Sequence, residues 1–153
     1  MVCCLMSDNK FSDELKIANS LKSYLSENQF KVLQLVHPGG QATYSLAYTN
    51  INGSIAHCFP DVIAIQGQRI FLGEIKPKYS VQDKKKLLKI CSSLDGKDNL
   101  VSLVRKITGI KEPNRFYVWP IIIHGDKTTK PDDELDQLIV TQNETLLIKK
   151  VSS

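Results

Sequence analysis

Long hydrophobic runs are missing from this chain: no stretch approaches the roughly 20 apolar residues that a membrane-spanning helix needs. The opening MVCCLM is too short for the apolar core of a signal peptide and has no basic start before it, so the protein is expected to stay inside the cell. Cysteine is sparse as well. Cys3, Cys4, Cys58 and Cys91 form no CxxC pair and no regular framework, which excludes a disulfide scaffold, argues against a zinc site and leaves reduced thiols as the expectation. There are no repeats, no low-complexity tract and no linker. What remains is 153 residues, 42% hydrophobic and 24% charged, the size and composition of one globular domain with a sizeable core.

The net charge of +4 is unevenly spread. Between Lys76 and Arg115 stand eleven basic residues against four acidic ones, a local charge of +7 that leaves −3 for the remainder. Such a run is commonly a solvated helix face, but a basic lobe also attracts polyanions whatever their sequence.

Hydrophobic spacing divides the chain into elements. Ser12 or Asp13 is placed to cap a helix running to about Glu27, with Ala18, Leu21 and Leu25 on its apolar stripe and Glu14 interrupting that stripe. FKVLQLVH reads as a strand, PGG as a turn, TYSLAYTN as a second strand and NINGS as a loop. Two further strands, Asp61 to Gln66 and Arg69 to Lys76, are joined around Gly67, and Pro77 ends the second. Beyond it the period changes to that of helices. One carries Leu87, Leu88, Cys91 and Leu94 on one face; the next carries Leu100, Leu103, Val104 and Ile107, with Asp98 as its cap and Gly109 as its stop. RFYVWPIII is a buried-type strand whose Pro120 implies an edge position or a bulge, and QLIVTQ and TLLIKKV around Asn143 form a closing hairpin or strand pair.

The segment FPDVIAIQGQRIFLGEIKPK is built for an interior yet carries Asp61, Glu74 and Lys76. If Gly67 and Gln68 form a two-residue type II′ turn, Gln66 faces Arg69, and Asp61 falls opposite Glu74. Ile63, Ile65, Ile70 and Leu72 then share a face with these acids and with Lys76, while Val62, Ala64, Phe71, Gly73 and Ile75 occupy the other. A three-residue loop would instead place Asp61 opposite Gly73 and leave the two acids diagonal. Directly opposed carboxylates have their Cβ atoms only about 4.5–5.5 Å apart and repel one another. Two arrangements relieve this: a buried ion pair with Lys76, or a divalent cation held between the acids. Mg²⁺ suits the second, because it takes hard oxygen ligands, often only one or two protein carboxylates, and leaves other positions to water and phosphate.

Pro60-Asp61, a hydrophobic strand, a short turn and then FLGEIK resemble the signature of the PD-(D/E)XK nuclease superfamily. The order of elements also resembles that family's restriction-endonuclease-like αβββαβ core, an α/β fold with a mixed central sheet flanked by helices. The resemblance covers about residues 12 to 123 of a single domain, with 132–153 as a C-terminal strand extension. It implies a metal-dependent endonuclease that hydrolyses phosphodiester bonds, with DNA as the expected substrate and Mg²⁺ or Mn²⁺ as the cofactor. Asp61 and Glu74 would be metal ligands, the Ile75 carbonyl a third, and Lys76 the residue that positions the attacking water and offsets charge on the phosphate. Glu14 is the candidate for the glutamate that family members add from the first helix; the alternative is a helix-end charge facing solvent. Lys78, Lys84, Lys85, Lys86 and Lys89 are the expected nucleic-acid contacts. His37, His57 and His124 are left out of the metal set, and Tyr79 and Trp119 are read as core aromatics before base-stacking ones. Cutting both strands of a duplex with one site per chain implies a homodimer or a larger nuclease complex, in the cytoplasm or a DNA-containing compartment. The competing readings are an RNA endonuclease of the same fold and a non-catalytic nucleic-acid-binding module.

Overall fold

The computed structural model describes residues 2–111, 115–127, 129–141 and 144–151, with side chains from Glu14 onward. Its centre is the hairpin of β4 (Val62–Gln66) and β5 (Arg69–Ile75), paired Gln66 to Arg69, Ile65 to Ile70, Ile63 to Leu72 and Val62 to Gly73. This is the register the two-residue turn requires. Gly67 takes φ 56° while Gln68 stays out of the positive-φ region, the combination a type II′ turn demands. β1 (Lys31–Leu35) runs antiparallel to β4 with an irregularity between Val32 and Gln34. On the far side β6 (Tyr117–His124) and β7 (Asp136–Val140) continue the sheet in parallel from β5, and β8 (Thr145–Ile148) closes it antiparallel. The strand order is β1-β4-β5-β6-β7-β8, a mixed sheet. β7 and β8 are the expected closing pair; Asn143 lies outside the described residues.

Both faces of β4 and β5 are buried, as their unbroken apolar sequences require. On one face Ile17, Ala18, Leu21 and Leu25 of α1 (Val2–Glu27) meet Val62, Ala64, Phe71 and Ile75. On the other, α2 (Val81–Ser92), α3 (Leu94–Thr108) and a two-stranded sheet of β2 (Leu46–Thr49) and β3 (Ile55–Cys58) enclose Ile63, Ile65, Ile70 and Leu72. The result is an α/β molecule with helices on both faces of a mixed sheet. Among the described residues no helix is long and apolar enough to cross a membrane.

The elements depart from expectation at two helix starts, and one short strand adds to them. α1 runs through Ser12 and Asp13, so neither caps it. β3 follows the NINGS loop; it is short, with only Cys58 buried, and its apolar alternation is correspondingly weak. β6 is an interior strand with no bulge against β5, but β7 joins only from Ile121, so Pro120 itself keeps an edge position, where its missing N–H leaves no gap in the ladder. α3 begins at Leu94, not after Asp98. Ser93 ends α2 and caps α3 together, its hydroxyl accepting from the Gly96 N–H at 3.3 Å, and Leu94 is exposed instead of joining the α2 face.

That junction is tied down by Asp95, whose carboxylate accepts from the Thr49 N–H at 3.0 Å and from the Thr49 and Ser93 hydroxyls. These bonds hold it down to about 2. A second clasp joins α2 to the β6–β7 connection: Lys84 lies 3.0 Å from both Asp132 and Glu134, and Tyr79 donates to Asp132 at 2.7 Å.

Gly96 sits where the two helices come closest. A Cβ there would lie 2.5 Å from the Ile90 carbonyl oxygen and 3.2 Å from the Tyr48 Cβ. Backbone cannot retreat as a flexible side-chain tip can. Gly96→Ala should therefore destabilise the fold by about 1–2 kcal/mol, even though alanine gains up to ~1 kcal/mol in a helix. Denaturant midpoints measure this, and a more stable variant would contradict so close an approach.

Candidate active site at the end of the central hairpin

The pairing of β4 with β5 ends at Val62 and Gly73, and one step further Asp61 and Glu74 stand across from each other. Asp61 is held at three points of its neighbourhood. Its carbonyl accepts from the Val36 N–H at 2.8 Å, its Oδ2 accepts from the Ile75 N–H at 2.9 Å, and the chain beyond Ile75 is fastened by the Lys76 N–H donating to the Ile123 carbonyl at 2.9 Å. One carboxylate oxygen is thereby fixed by backbone, and the carboxylate also meets Glu74 through a side-chain hydrogen bond.

Asp61, Ile75 and Lys76 line a cavity of about 190 Å³ together with Glu14 and Ala18 of α1 and the loop Val36 to Gly40. The PGG turn forms the wall of this cavity. Gly39 has φ 78°, a conformation glycine adopts without steric penalty, and the Gly40 N–H closes the turn on the His37 carbonyl at 2.8 Å. Glu14, the break in the apolar stripe of α1, thus faces the same space as Asp61 and Lys76. Lys76 is exposed.

Glu74 is on the other side of Asp61. It is 3% exposed and turned toward α2, where Lys86 Nζ forms an ion pair with its Oε1 at 2.6 Å. Burial, and after it the hydrogen bond and negative charge of Asp61, push the Glu74 carboxyl up to about 8, with Lys86 pulling the other way. Burial works against the charge on Lys86, but the Glu74 carboxylate outweighs it and holds the ammonium above its ordinary value. Cys58, next to this pair, is pushed up to about 11 by burial and is a free thiol, as is Cys91.

The five lysines expected to touch nucleic acid are dispersed. Lys86 is engaged by Glu74, and Lys84 by Asp132, Asp133 and Glu134. Lys85 and Lys89 are exposed on α2, Lys89 beside the α2–α3 junction, and Lys78 lines a separate groove. The role of Lys86 went unread, although it lies four residues before Ile90, on the helix face that meets the sheet. Tyr79 is anchored by Asp132. Trp119 is packed between Phe71 and the Arg69 guanidinium, three ladder steps from the level of Asp61. His124 is fully buried; its Nδ1 accepts from the Asp126 N–H at 3.0 Å, so Nε2 carries the proton toward Gln137 Oε1 at 2.8 Å.

Among the described residues no group of three or more His, Cys, Asp and Glu side chains is arranged to hold a metal ion. By chemistry the donors fit a hard cation: Asp61, Glu74, Glu14 and the Ile75 carbonyl are all oxygen ligands. Such an ion would compete with Lys86 for the buried Oε1 of Glu74. Compared with models of protein families, with curated proteins and with solved structures, the chain matches none.

The Glu74–Lys86 pair has a consequence for the metal-free protein. A carboxyl raised from 4.5 to about 8 binds its proton more tightly folded than unfolded, so its contribution is complete below pH 4.5 and is lost as pH rises toward about 8. Thermal unfolding in EDTA should show this decline in the wild type and a flatter profile in Glu74→Gln. Lys86→Met, which leaves Glu74 without its counter-charge, should lower stability at pH 8 by about 1–3 kcal/mol, less than for a wholly buried pair because Lys86 is partly exposed. Equal pH profiles in wild type and Glu74→Gln would contradict the arrangement.

Proposed function

We propose that this chain is a metal-dependent endonuclease of the PD-(D/E)XK kind, hydrolysing phosphodiester bonds with DNA as its main substrate. The observation that carries this reading is the placement of Asp61 and Glu74 across the open end of the central antiparallel hairpin, with Lys76 and Glu14 in the cavity beside Asp61. The topology supports it: a leading helix, three antiparallel strands in the order β1-β4-β5, two helices, and then β6 parallel to β5 correspond to an αβββαβ core. β2 and β3 would be an insertion and β7 and β8 an extension.

In this reading Asp61, Glu74, Glu14 and the Ile75 carbonyl would hold Mg²⁺ or Mn²⁺, which when bound would supply Lewis-acid polarisation of a phosphoryl oxygen and make water a better nucleophile. The chain's own residues do the positioning. The Ile75 N–H bond fixes the Asp61 carboxylate, so no reorientation is needed as charge develops. Lys76, exposed at the cavity, holds an ammonium against the phosphate and orients the water attacking in line with the departing oxygen. Glu14 contributes a second negative wall from α1. One site per chain makes duplex cleavage the work of two copies or of a larger assembly.

The Glu74–Lys86 ion pair favours one other reading, in which the acids are structural and the protein binds nucleic acid without cutting it. Nicking of supercoiled plasmid in Mg²⁺ or Mn²⁺ separates the two. Asp61→Ala, Glu74→Ala and Lys76→Ala should each slow nicking by roughly 100-fold or more while circular dichroism shows the fold retained. Nicking that persists unchanged in all three variants, or its absence from the wild type with either metal, would refute the nuclease reading; RNA of matching sequence tests the substrate preference in parallel.

A further inference from the structure

Next to the acid-lined cavity lies a second and larger groove, of about 720 Å³, between α1 and the C-terminal ends of the parallel strands. The two depressions share their walls. α1 gives Glu14 and Ala18 to the cavity and Lys16 and Ile17 to the groove, and the chain leaving β5 gives Ile75 and Lys76 to the first and Pro77 and Lys78 to the second. A third lysine, Lys127, follows β6. No acidic residue lines the groove.

The three ammonium groups come from three separate elements, yet they converge on one depression. All three side chains are exposed, and none of the ion pairs among the described residues involves them. The lysines of α2 differ: Lys84 and Lys86 are spent on internal acids. The charge that remains available for a polyanion next to the cavity therefore lies on the α1 side of the sheet, and the helix rich in lysine by sequence lies on the opposite side. Apolar wall comes from Ile17, Pro77 and Val140, and Asn19, Ser20 and Thr141 add uncharged polar groups. A groove of this size exceeds what a single inorganic phosphate fills, and its ammonium groups, uncharged polar side chains and apolar wall suit the phosphates and sugars of a nucleic-acid strand.

We propose that this groove seats the sugar-phosphate backbone of one DNA strand, with Lys16, Lys78 and Lys127 on successive phosphates, and leads that strand past Lys76 to Asp61. The proposal deepens the nuclease reading and rests on it for the direction in which the strand is led. The contacts are with phosphate and are independent of base sequence, so each lysine contributes a share of salt-dependent affinity.

The test measures binding without cleavage, by fluorescence anisotropy of a labelled single-stranded DNA oligonucleotide titrated with the full chain in EDTA across a range of salt. Replacing Lys16, Lys78 and Lys127 together by Gln should weaken binding by about tenfold at low salt and reduce the slope of log affinity against log salt by about 2, as expected for three lost phosphate contacts on a single strand. The double variant Lys85→Gln, Lys89→Gln, which removes exposed charge from the other face, should change affinity much less. Unchanged binding in the triple variant, or an equal loss in the α2 variant, overturns the groove. Because no metal is present, failure of the nuclease reading leaves this result standing; conversely, metal-dependent nicking that survives alongside unchanged binding in the triple variant sinks the groove alone.

Discussion

An acid buried at the end of the central hairpin is the constraint around which this molecule is arranged. Glu74 lies on β5, the strand most enclosed by neighbours, and faces both a second acid and the underside of a helix. Left uncompensated, such a charge costs several kcal/mol, enough to consume much of a domain's net stability. The fold answers locally, with the Lys86 ammonium 2.6 Å away and a raised carboxyl. Nothing about packing demands an acid there, since Leu72 on the same face is an ordinary core residue. The expense is intelligible if Glu74 has chemistry to perform.

The rest of the candidate site follows from that hairpin. Its turn sets the register, the register places Asp61 opposite Glu74, and the first free N–H beyond the pair, that of Ile75, orients Asp61. α1 covers one face through Ile17, Ala18, Leu21 and Leu25, and the same helix brings Glu14 to the cavity and Lys16 to the groove. The core and the candidate site thus share one helix, whose apolar stripe ends where the polar cavity begins.

Much of this was legible in the residues because it depends on short-range rules. A two-residue turn with glycine first and a strand period of two were sufficient for the whole β4–β5 register, and Glu14 stood out as a charge on an apolar stripe. What was not legible depends on how elements meet. Lys86 reads as a nucleic-acid contact because its neighbours in sequence are lysines; its partner lies on a strand, and only the docking of α2 brings them together. The same holds for Lys84, whose counter-charges are the acids at Asp132 to Glu134 nearly fifty residues on. α3 starts ahead of the expected cap at Asp98, and Gly96 within its first turn permits the close approach to the Ile90 carbonyl.

Titration of the purified chain with Mn²⁺, followed by electron paramagnetic resonance of the free ion, addresses the central claim most directly. If Asp61 and Glu74 form a cation site that Lys86 otherwise neutralises, the wild type binds manganese, Asp61→Asn loses that binding, and Lys86→Met binds at least as tightly as the wild type. Manganese that stays free at every protein concentration, or binding that Asp61→Asn leaves intact, would mean that the two acids serve the fold and nothing else.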